Sequence, residues 1–194
     1  MQEIGFFTAL LNVMQLTKLL STVCLAASVA HAAEFREARL DDGGRKLTIT
    51  QSDGQTFAAP MLDDQDSFDK PAVSRNRRYV GWLALFPNMG ASYSQPLRLS
   101  VLDSSKRTMD FVGDFGMIYG WCFTNDSQAV VYKYQLPHGI TSIAFQMRRL
   151  RDGKILRSFR LEPIKPDADE AKVIRANTPA WASCTRDRMD VNQR

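Results

Sequence analysis

Histidine and cysteine are scarce in this chain of 194 residues, which contains two histidines and three cysteines. They form no Cys-x-x-Cys or His-x-x-x-His pair. Zinc sites need three or four such ligands, and serine or cysteine hydrolases need an imidazole oriented by a third group. The sequence also lacks a glycine-rich phosphate loop. We therefore expect no metal, no cofactor and no catalytic residues, and interpret the chain as a non-enzymatic protein.

The composition is that of one ordinary globular domain. Hydrophobic residues make up 44% of the chain and charged residues 24%, with a formal net charge of +4. This excess is small, whereas nucleic-acid-binding proteins concentrate a larger one on a single face. We therefore expect no nucleic-acid partner.

Residues 14–33 have the pattern of a secretory signal peptide. A cation is followed by an apolar stretch from Leu19 to Val29 and then by alanines spaced Ala-x-Ala. The stretch is shorter than the roughly 20 apolar residues of a transmembrane helix, so we expect no stable membrane insertion. We expect cleavage after Ala32, which removes residues 1–32, and export to the periplasm. Met14 is an alternative start, since the segment before it contains no cation.

Removal of the signal peptide changes the cysteine count. Cys24 is lost, and Cys122 and Cys184 remain as an even pair in a protein bound for an oxidising compartment. We predict a disulfide between them, with two buried thiols as the alternative. In the chain-entropy model, closing a loop of about 60 residues stabilises the fold by roughly 4 kcal/mol.

A repeat organises the middle of the chain. Residues 73–87 align without gaps on residues 123–137, and residues 101–111 run parallel to residues 149–159. Each copy holds four strand-like runs separated by short polar turns, and the period is near that of a propeller blade, about 40–50 residues. We place the blade-like repeats at 71–111 and 121–160.

The two copies resemble the propeller repeats of the periplasmic translocation protein TolB and its relatives, over roughly residues 70–160. The blade motif of that family runs Ser-Pro-Asp-Gly and then an apolar strand. Here Arg75 and Asn125 stand at the proline position, Arg77 and Ser127 stand at the glycine position, and Asp126 keeps the acidic position. The resemblance implies antiparallel, four-stranded blades.

Length then limits the architecture, because residues 33–194 supply barely three blades of about 50 residues. We predict a single all-β domain in which two blade-like antiparallel sheets pack as an open sandwich or partial propeller. Leftover strands at 46–51 and 55–58 would precede them. Asp167 and Glu170 could cap a short C-terminal helix ending near Ala176.

The connection between Phe86 and Pro96 has an unusual composition. It is uncharged and carries tyrosine and methionine among small hydrogen-bonding residues, which is typical of adaptable protein-recognition loops. An irrelevant surface loop is the alternative. We predict partner-binding residues in this loop and, in addition, at the histidine turn of the second copy. They are Asn88, Met89, Ser92, Tyr93, Ser94 and His138.

Two charged segments suggest other functions. Asp63, Asp64 and Asp66 could supply carboxylates for an envelope enzyme or oxygen ligands for calcium, although the segment lacks the turn glycine and distal glutamate of a calcium loop and a solvated acidic loop is the simpler interpretation. A basic run across one predicted hairpin could attract an acidic partner, a phosphate-bearing lipid or a polysaccharide, or simply form a charged edge strand. Its cations are Arg148, Arg149, Arg151, Lys154, Arg157 and Arg160.

In overall character the chain is similar to periplasmic immunity proteins that neutralise the cell-wall amidase effectors of type VI secretion. That resemblance implies a non-enzymatic inhibitor whose partner is a secreted amidase or other lytic effector. In such a protein Ser92, Tyr93 or Ser94 would enter the cleft of the effector while Met89 anchors the loop. The alternatives are an envelope enzyme acting on carbohydrate or peptidoglycan, and a propeller-type assembly module.

Overall fold

The structure, a computed structural model, describes residues 34–88, 90, 92–137, 141–165 and 168–185. The predicted signal peptide, Met89 and His138 lie outside these ranges. In the described part of the chain no helix is long and apolar enough to cross a bilayer.

The described residues form eleven strands and one α-helix. The strands are β1 (Phe35–Asp41), β2 (Lys46–Gln51), β3 (Thr56–Ala58), β4 (Ser67–Val73), β5 (Tyr79–Phe86), β6 (Gln95–Asp103), β7 (Thr108–Phe111), β8 (Met117–Phe123), β9 (Ala129–Gln135), β10 (Ile143–Arg149) and β11 (Ile155–Leu161). Helix α1 spans Glu170–Asn177, and a 3-10 segment follows at Ala180–Thr185.

The strands form three antiparallel sheets in chain order. An N-terminal sheet contains β1 to β3, a middle sheet β4 to β7, and a C-terminal sheet β8 to β11. The all-β prediction with two four-stranded, blade-like sheets is confirmed, and the sheets do not close into a ring. The predicted leftover strands are β2 and β3, to which the structure adds β1.

Burial of both faces of β5 explains why the sheets stack. Val80 and Trp82 point to the N-terminal sheet and pack with Phe35, Leu47 and other apolar residues. Leu83 points the other way, into a cluster with residues of β8 and β9. The middle sheet is therefore covered on both of its faces.

The far face of the C-terminal sheet is covered by the C-terminal segment. Phe145 and neighbouring apolar residues of this face pack against Ile174 of α1 and against Trp181 and Ala182 of the 3-10 segment. A disulfide joins Cys122 of β8 to Cys184, across 62 residues, as predicted. The helix cap is Asp169, which accepts the Lys172 N–H at 3.0 Å; it stands two positions after the predicted Asp167, which lies outside the described residues.

The outer face of the N-terminal sheet is polar. In the register of β1 and β2, Glu37 lies opposite Thr50 and Arg39 opposite Thr48, and these residues point away from the middle sheet. Thr48 donates to Asp41, which also pairs with Arg39 at 3.1 Å. Polar outer faces end a stack of repeats, because a further layer would bury unpaired groups.

The two aligned turns share one hydrogen-bond geometry. The Ser74 hydroxyl donates to Asn76 Oδ1 at 2.8 Å and accepts the Tyr79 N–H. Thr124, Asp126 and Ala129 repeat this arrangement. The position that carries glycine in the TolB-like motif is left-handed in both copies, with φ of 57° at Arg77 and 55° at Ser127.

We predict that Gly81→Ala destabilises the contact between the middle and C-terminal sheets. A Cβ at this position would lie 2.5 Å from the ring of Trp121. That ring cannot move freely, because its Nε1 donates to the Lys70 carbonyl at 3.1 Å and it packs edge-on against Phe123. The free energy of unfolding should fall by about 1–3 kcal/mol in urea denaturation.

Gly90→Ala is the matched control, since its Cβ would meet no atom nearer than 3.9 Å. Equal stability changes in the two variants would contradict this packing.

Candidate functional site

Antiparallel order places the connections of the stack at two opposite ends. The turns 52–55, 74–78, 104–107, 124–128 and 150–154 lie at one end, called the turn end. The connections 59–66, 87–94, 112–116 and 136–142 lie at the other, called the loop end. A hydrogen bond from Ser94 to the Asp66 carboxylate joins two loop-end connections directly.

The predicted binding loop is the 87–94 connection between β5 and β6. Asn88 Oδ1 accepts the Gly90 N–H at 3.2 Å, so this side chain shapes the loop. Ser94 is half-buried and braces the loop against Asp66. Ser92 is exposed, and Tyr93 is 46% exposed. Of the predicted residues, Ser92 and Tyr93 are thus presented to solvent, while Asn88 and Ser94 hold the backbone.

Three apolar side chains that sequence reasoning missed flank this loop. Met61 is 49% exposed, Val112 48% and Leu136 44%, and each lies on a different loop-end connection. Of the six exposed large apolar residues in the described ranges, these three and Tyr93 lie at the loop end; the others are Ile155 and Leu156 of β11. Such clustering is typical of interaction surfaces, whereas scattered exposure is ordinary.

The loop end is also acidic. Its four connections contain Asp63, Asp64, Asp66 and Asp114 and no lysine or arginine. A fifth connection at this end, 42–45, holds Arg45, whose Nη2 lies 3.2 Å from Asp42. The surface thus combines exposed apolar groups with negative charge.

A buried polar chain supports the 112–116 connection. The Tyr134 hydroxyl donates to Asp114 at 3.0 Å and accepts from Gln146 Nε2 at 3.0 Å. The Tyr132 hydroxyl lies 3.0 Å from the Val112 carbonyl oxygen and 2.7 Å from Gln146 Oε1. Arg148 Nε donates to the Tyr132 oxygen at 2.9 Å. Because each of these polar side chains has a hydrogen-bond partner, the buried polar chain fixes Val112 and Asp114 in position.

Tyr132 and Tyr134, the two tyrosines of the buried polar chain, stay protonated at neutral pH. Burial and the hydrogen bond to Asp114 raise the pKa of Tyr134 to about 12. Burial also raises the pKa of Tyr132, against the opposing effect of Arg148. These side chains are hydrogen-bond donors and cannot serve as bases, so the chain is suited to positioning the loop.

The carboxylates suggested for an enzyme lie on the 59–66 connection. Asp63 and Asp64 are exposed, and Asp64 has a left-handed φ of 60°. Asp66 accepts from Ser94 and from Ser67. Across the described ranges, no three His, Cys, Asp or Glu side chains are grouped so that they could hold a metal ion.

The basic run does not form one surface. Arg148 points into the buried polar chain, and Arg149 and Arg151 pair with Asp152 at 2.9 Å and 3.6 Å. Arg160 lies over the ring of Phe115, 5.1 Å from its centroid. β10 and β11 have a register shift between Met147 and Arg148, and Lys154 and Arg157 are exposed.

Comparison with known proteins adds a distant likeness. No protein-family model and no curated protein matches the chain. Among solved structures, an acylaminoacyl peptidase from Pyrococcus horikoshii is similar with a TM-score of 0.42 and 11% sequence identity. The similarity covers 68% of this chain and 25% of the peptidase chain.

The polar chain predicts a pH dependence of stability. Because the pKa of Tyr134 in the fold lies above its ordinary value of 10, the protonated hydroxyl stabilises the fold below pH 10. That contribution is lost as the pH rises from 10 towards 12. In urea denaturation between pH 10 and pH 12, the free energy of unfolding of Tyr134→Phe should fall less than that of the wild type. The absorbance titration of this variant should lack one tyrosinate step.

Asp114→Asn should shift that step to lower pH, because the carboxylate charge that opposes tyrosinate formation is gone. An unchanged titration in Asp114→Asn would show that the two groups are not coupled.

Proposed function

We propose that the chain is an exported, non-enzymatic binding protein whose loop end docks on another protein. The observation that supports this is the exposure of Met61, Tyr93, Val112 and Leu136 on four connections at one end of the stack. Apolar side chains surrounded by polar and acidic groups match the composition of protein interfaces, which have an apolar centre and a polar rim.

Tyr93 is the proposed anchor. Its ring offers a large contact area and has only two side-chain torsions to fix on binding. The loop that carries it is braced at both ends, by Asn88 on Gly90 and by Ser94 on Asp66. These two hydrogen bonds reduce the conformational entropy that docking of the loop costs.

The proposed partner is a secreted cell-wall hydrolase, and the chain acts as its inhibitor. We infer that the cleft of this hydrolase is lined by basic residues, because charge across protein interfaces is complementary. The acidic rim of Asp63, Asp64 and Asp114 complements such a cleft. Ser92 and Tyr93 would enter the cleft and exclude substrate, as an immunity protein does for an amidase effector.

The enzyme alternative rests on Asp63, Asp64 and Asp66 alone. The assembly alternative requires an apolar face for a further blade. In the described residues, one end face of the stack is polar and the other is covered by the C-terminal segment. Both observations favour a module that works as a single copy.

The test titrates a purified secreted peptidoglycan amidase of the type VI effector class with the protein while turnover of cell-wall fragments is followed. We expect stoichiometric inhibition. Tyr93→Ala should weaken binding about 30-fold, as expected for loss of a central aromatic anchor. Ile155→Ala, which truncates an equally exposed apolar residue on β11, should leave affinity unchanged.

Two outcomes would reject the proposal. Equal losses in the Tyr93 and Ile155 variants would exclude the loop end as the interface. Turnover by the protein itself that disappears in Asp63→Asn or Asp66→Asn would favour the envelope enzyme.

A further inference from the structure

The turn end carries the opposite charge to the loop end. Its five turns contain three aspartates and seven basic residues. The basic residues are Arg75, Arg77, Arg78, Lys106, Arg107, Arg151 and Lys154. Charge in this molecule is thus separated along the strand direction, with the positive excess at the turns.

The aspartates of these turns accept hydrogen bonds from the turn backbone. Asp53 accepts the Gln55 N–H at 2.9 Å, and Asp126 accepts the Gln128 N–H at 3.1 Å. Asp152 accepts the Lys154 N–H and pairs with Arg149 and Arg151. Hydrogen bonds keep the pKa of Asp126 and of Asp152 below the ordinary value, so both carboxylates are ionised, and the seven basic residues still outnumber the three aspartates and Asp103, which pairs with Arg107.

Three exposed arginines stand on a single turn, at positions 75, 77 and 78. The aligned turn of the C-terminal sheet has the same hydrogen bonds and carries Asn125, Ser127 and Gln128 at these positions. The turn geometry therefore does not require arginine. Arg77 occupies a left-handed backbone position that favours glycine, as Ser127 does in the aligned turn.

The arginine turn is fixed by contacts to all three sheets. The Asn76 N–H donates to the Ser127 hydroxyl at 3.2 Å, which ties the turn to the C-terminal sheet. The Phe35 N–H donates to the Arg77 carbonyl at 2.7 Å, which ties it to the N-terminal sheet. In the described ranges no carboxylate lies within ion-pair distance of these three guanidinium groups. The backbone of the turn is held in place, and its three guanidinium groups are exposed to a ligand.

We propose that the turn end docks on anionic membrane surfaces through the phosphate groups of lipids. Guanidinium groups bind phosphate oxygens with two parallel hydrogen bonds, and clusters of four to eight basic residues are typical of anionic lipid recognition. The arginine turn 74–78 carries no exposed large apolar side chain; those nearest to the five turns are Ile155 and Leu156, which follow the last turn at the start of β11. A protein partner would call for an apolar centre, whereas a charged plane does not. Docking in this way directs the loop end away from the membrane.

The experiment measures co-sedimentation of the full chain with vesicles of phosphatidylcholine alone or mixed with phosphatidylglycerol. The informative variant is Arg75→Asn, Arg77→Ser and Arg78→Gln, which transfers the residues of the aligned turn. Each basic residue near an anionic surface contributes roughly fivefold in partitioning, so this variant should bind mixed vesicles about a hundredfold more weakly. Wild-type binding should also fall as salt rises.

The matched control removes the same charge elsewhere, with Arg157→Gln, Lys165→Gln and Lys172→Gln, all exposed and distant in sequence from the turn. It should keep most of the binding. Circular dichroism melts establish that both triple variants are folded.

Four results would overturn the proposal. Wild-type binding to phosphatidylcholine as strong as to mixed vesicles would show that charge is not the cause. Equal losses in the two triple variants would show a general charge effect. Displacement by inorganic phosphate, beyond that by chloride at equal ionic strength, would indicate a free-phosphate site. Retention on poly-glutamate without vesicle binding would indicate an acidic protein partner. None of these results bears on the loop end, so the two proposals fail separately.

Discussion

Burial of the middle sheet on both faces is the constraint on which the rest of the structure depends. Trp82 and Leu83 are neighbours in β5, point to opposite faces, and are each 1% exposed. Burying side chains of this size contributes about 1.5–3 kcal/mol each, so both neighbouring sheets are needed to complete the core. The stack then has two outer faces, which differ in how they meet solvent. One is polar, and the other is covered by a segment that the Cys122–Cys184 disulfide holds in place.

The same stacking determines what the protein can present to its surroundings. With one outer face polar and the other covered, exposed apolar groups and concentrated charge lie at the two ends of the strands and on β11. The loop end combines exposed apolar side chains with aspartates on connections supported by a buried polar chain. The turn end combines arginines with a backbone tied to three sheets. The loop end is acidic and the turn end is basic, so charge is separated along the strands. This separation suits a protein that is held at one end and binds a partner at the other.

Much of the fold could be read from the sequence, because strand alternation and turn chemistry are local. The alignment of 73–87 on 123–137 predicted β5 and β9 together with their preceding turns, and the even cysteine pair predicted the disulfide. Strand β1 was missed because its exposed positions alternate with small or half-buried ones, which leaves a weak apolar pattern. The inward turn of Arg148 was also missed, since it depends on a register shift and on partners across the sheet. The exposure of Met61, Val112 and Leu136 depends on which ends of the strands meet, and sequence spacing does not show this.

Native-state hydrogen exchange tests the central claim most directly. If the middle sheet holds the other two together, the amides of β5 and β6 should exchange only through global unfolding, with protection equal to the full free energy of unfolding. Amides of β1 to β3 should exchange through smaller openings, because that sheet has one covered face. Faster exchange in β5 and β6 than in the N-terminal sheet would contradict the account, since the outer sheet would then be stable without the layer on which it is said to depend.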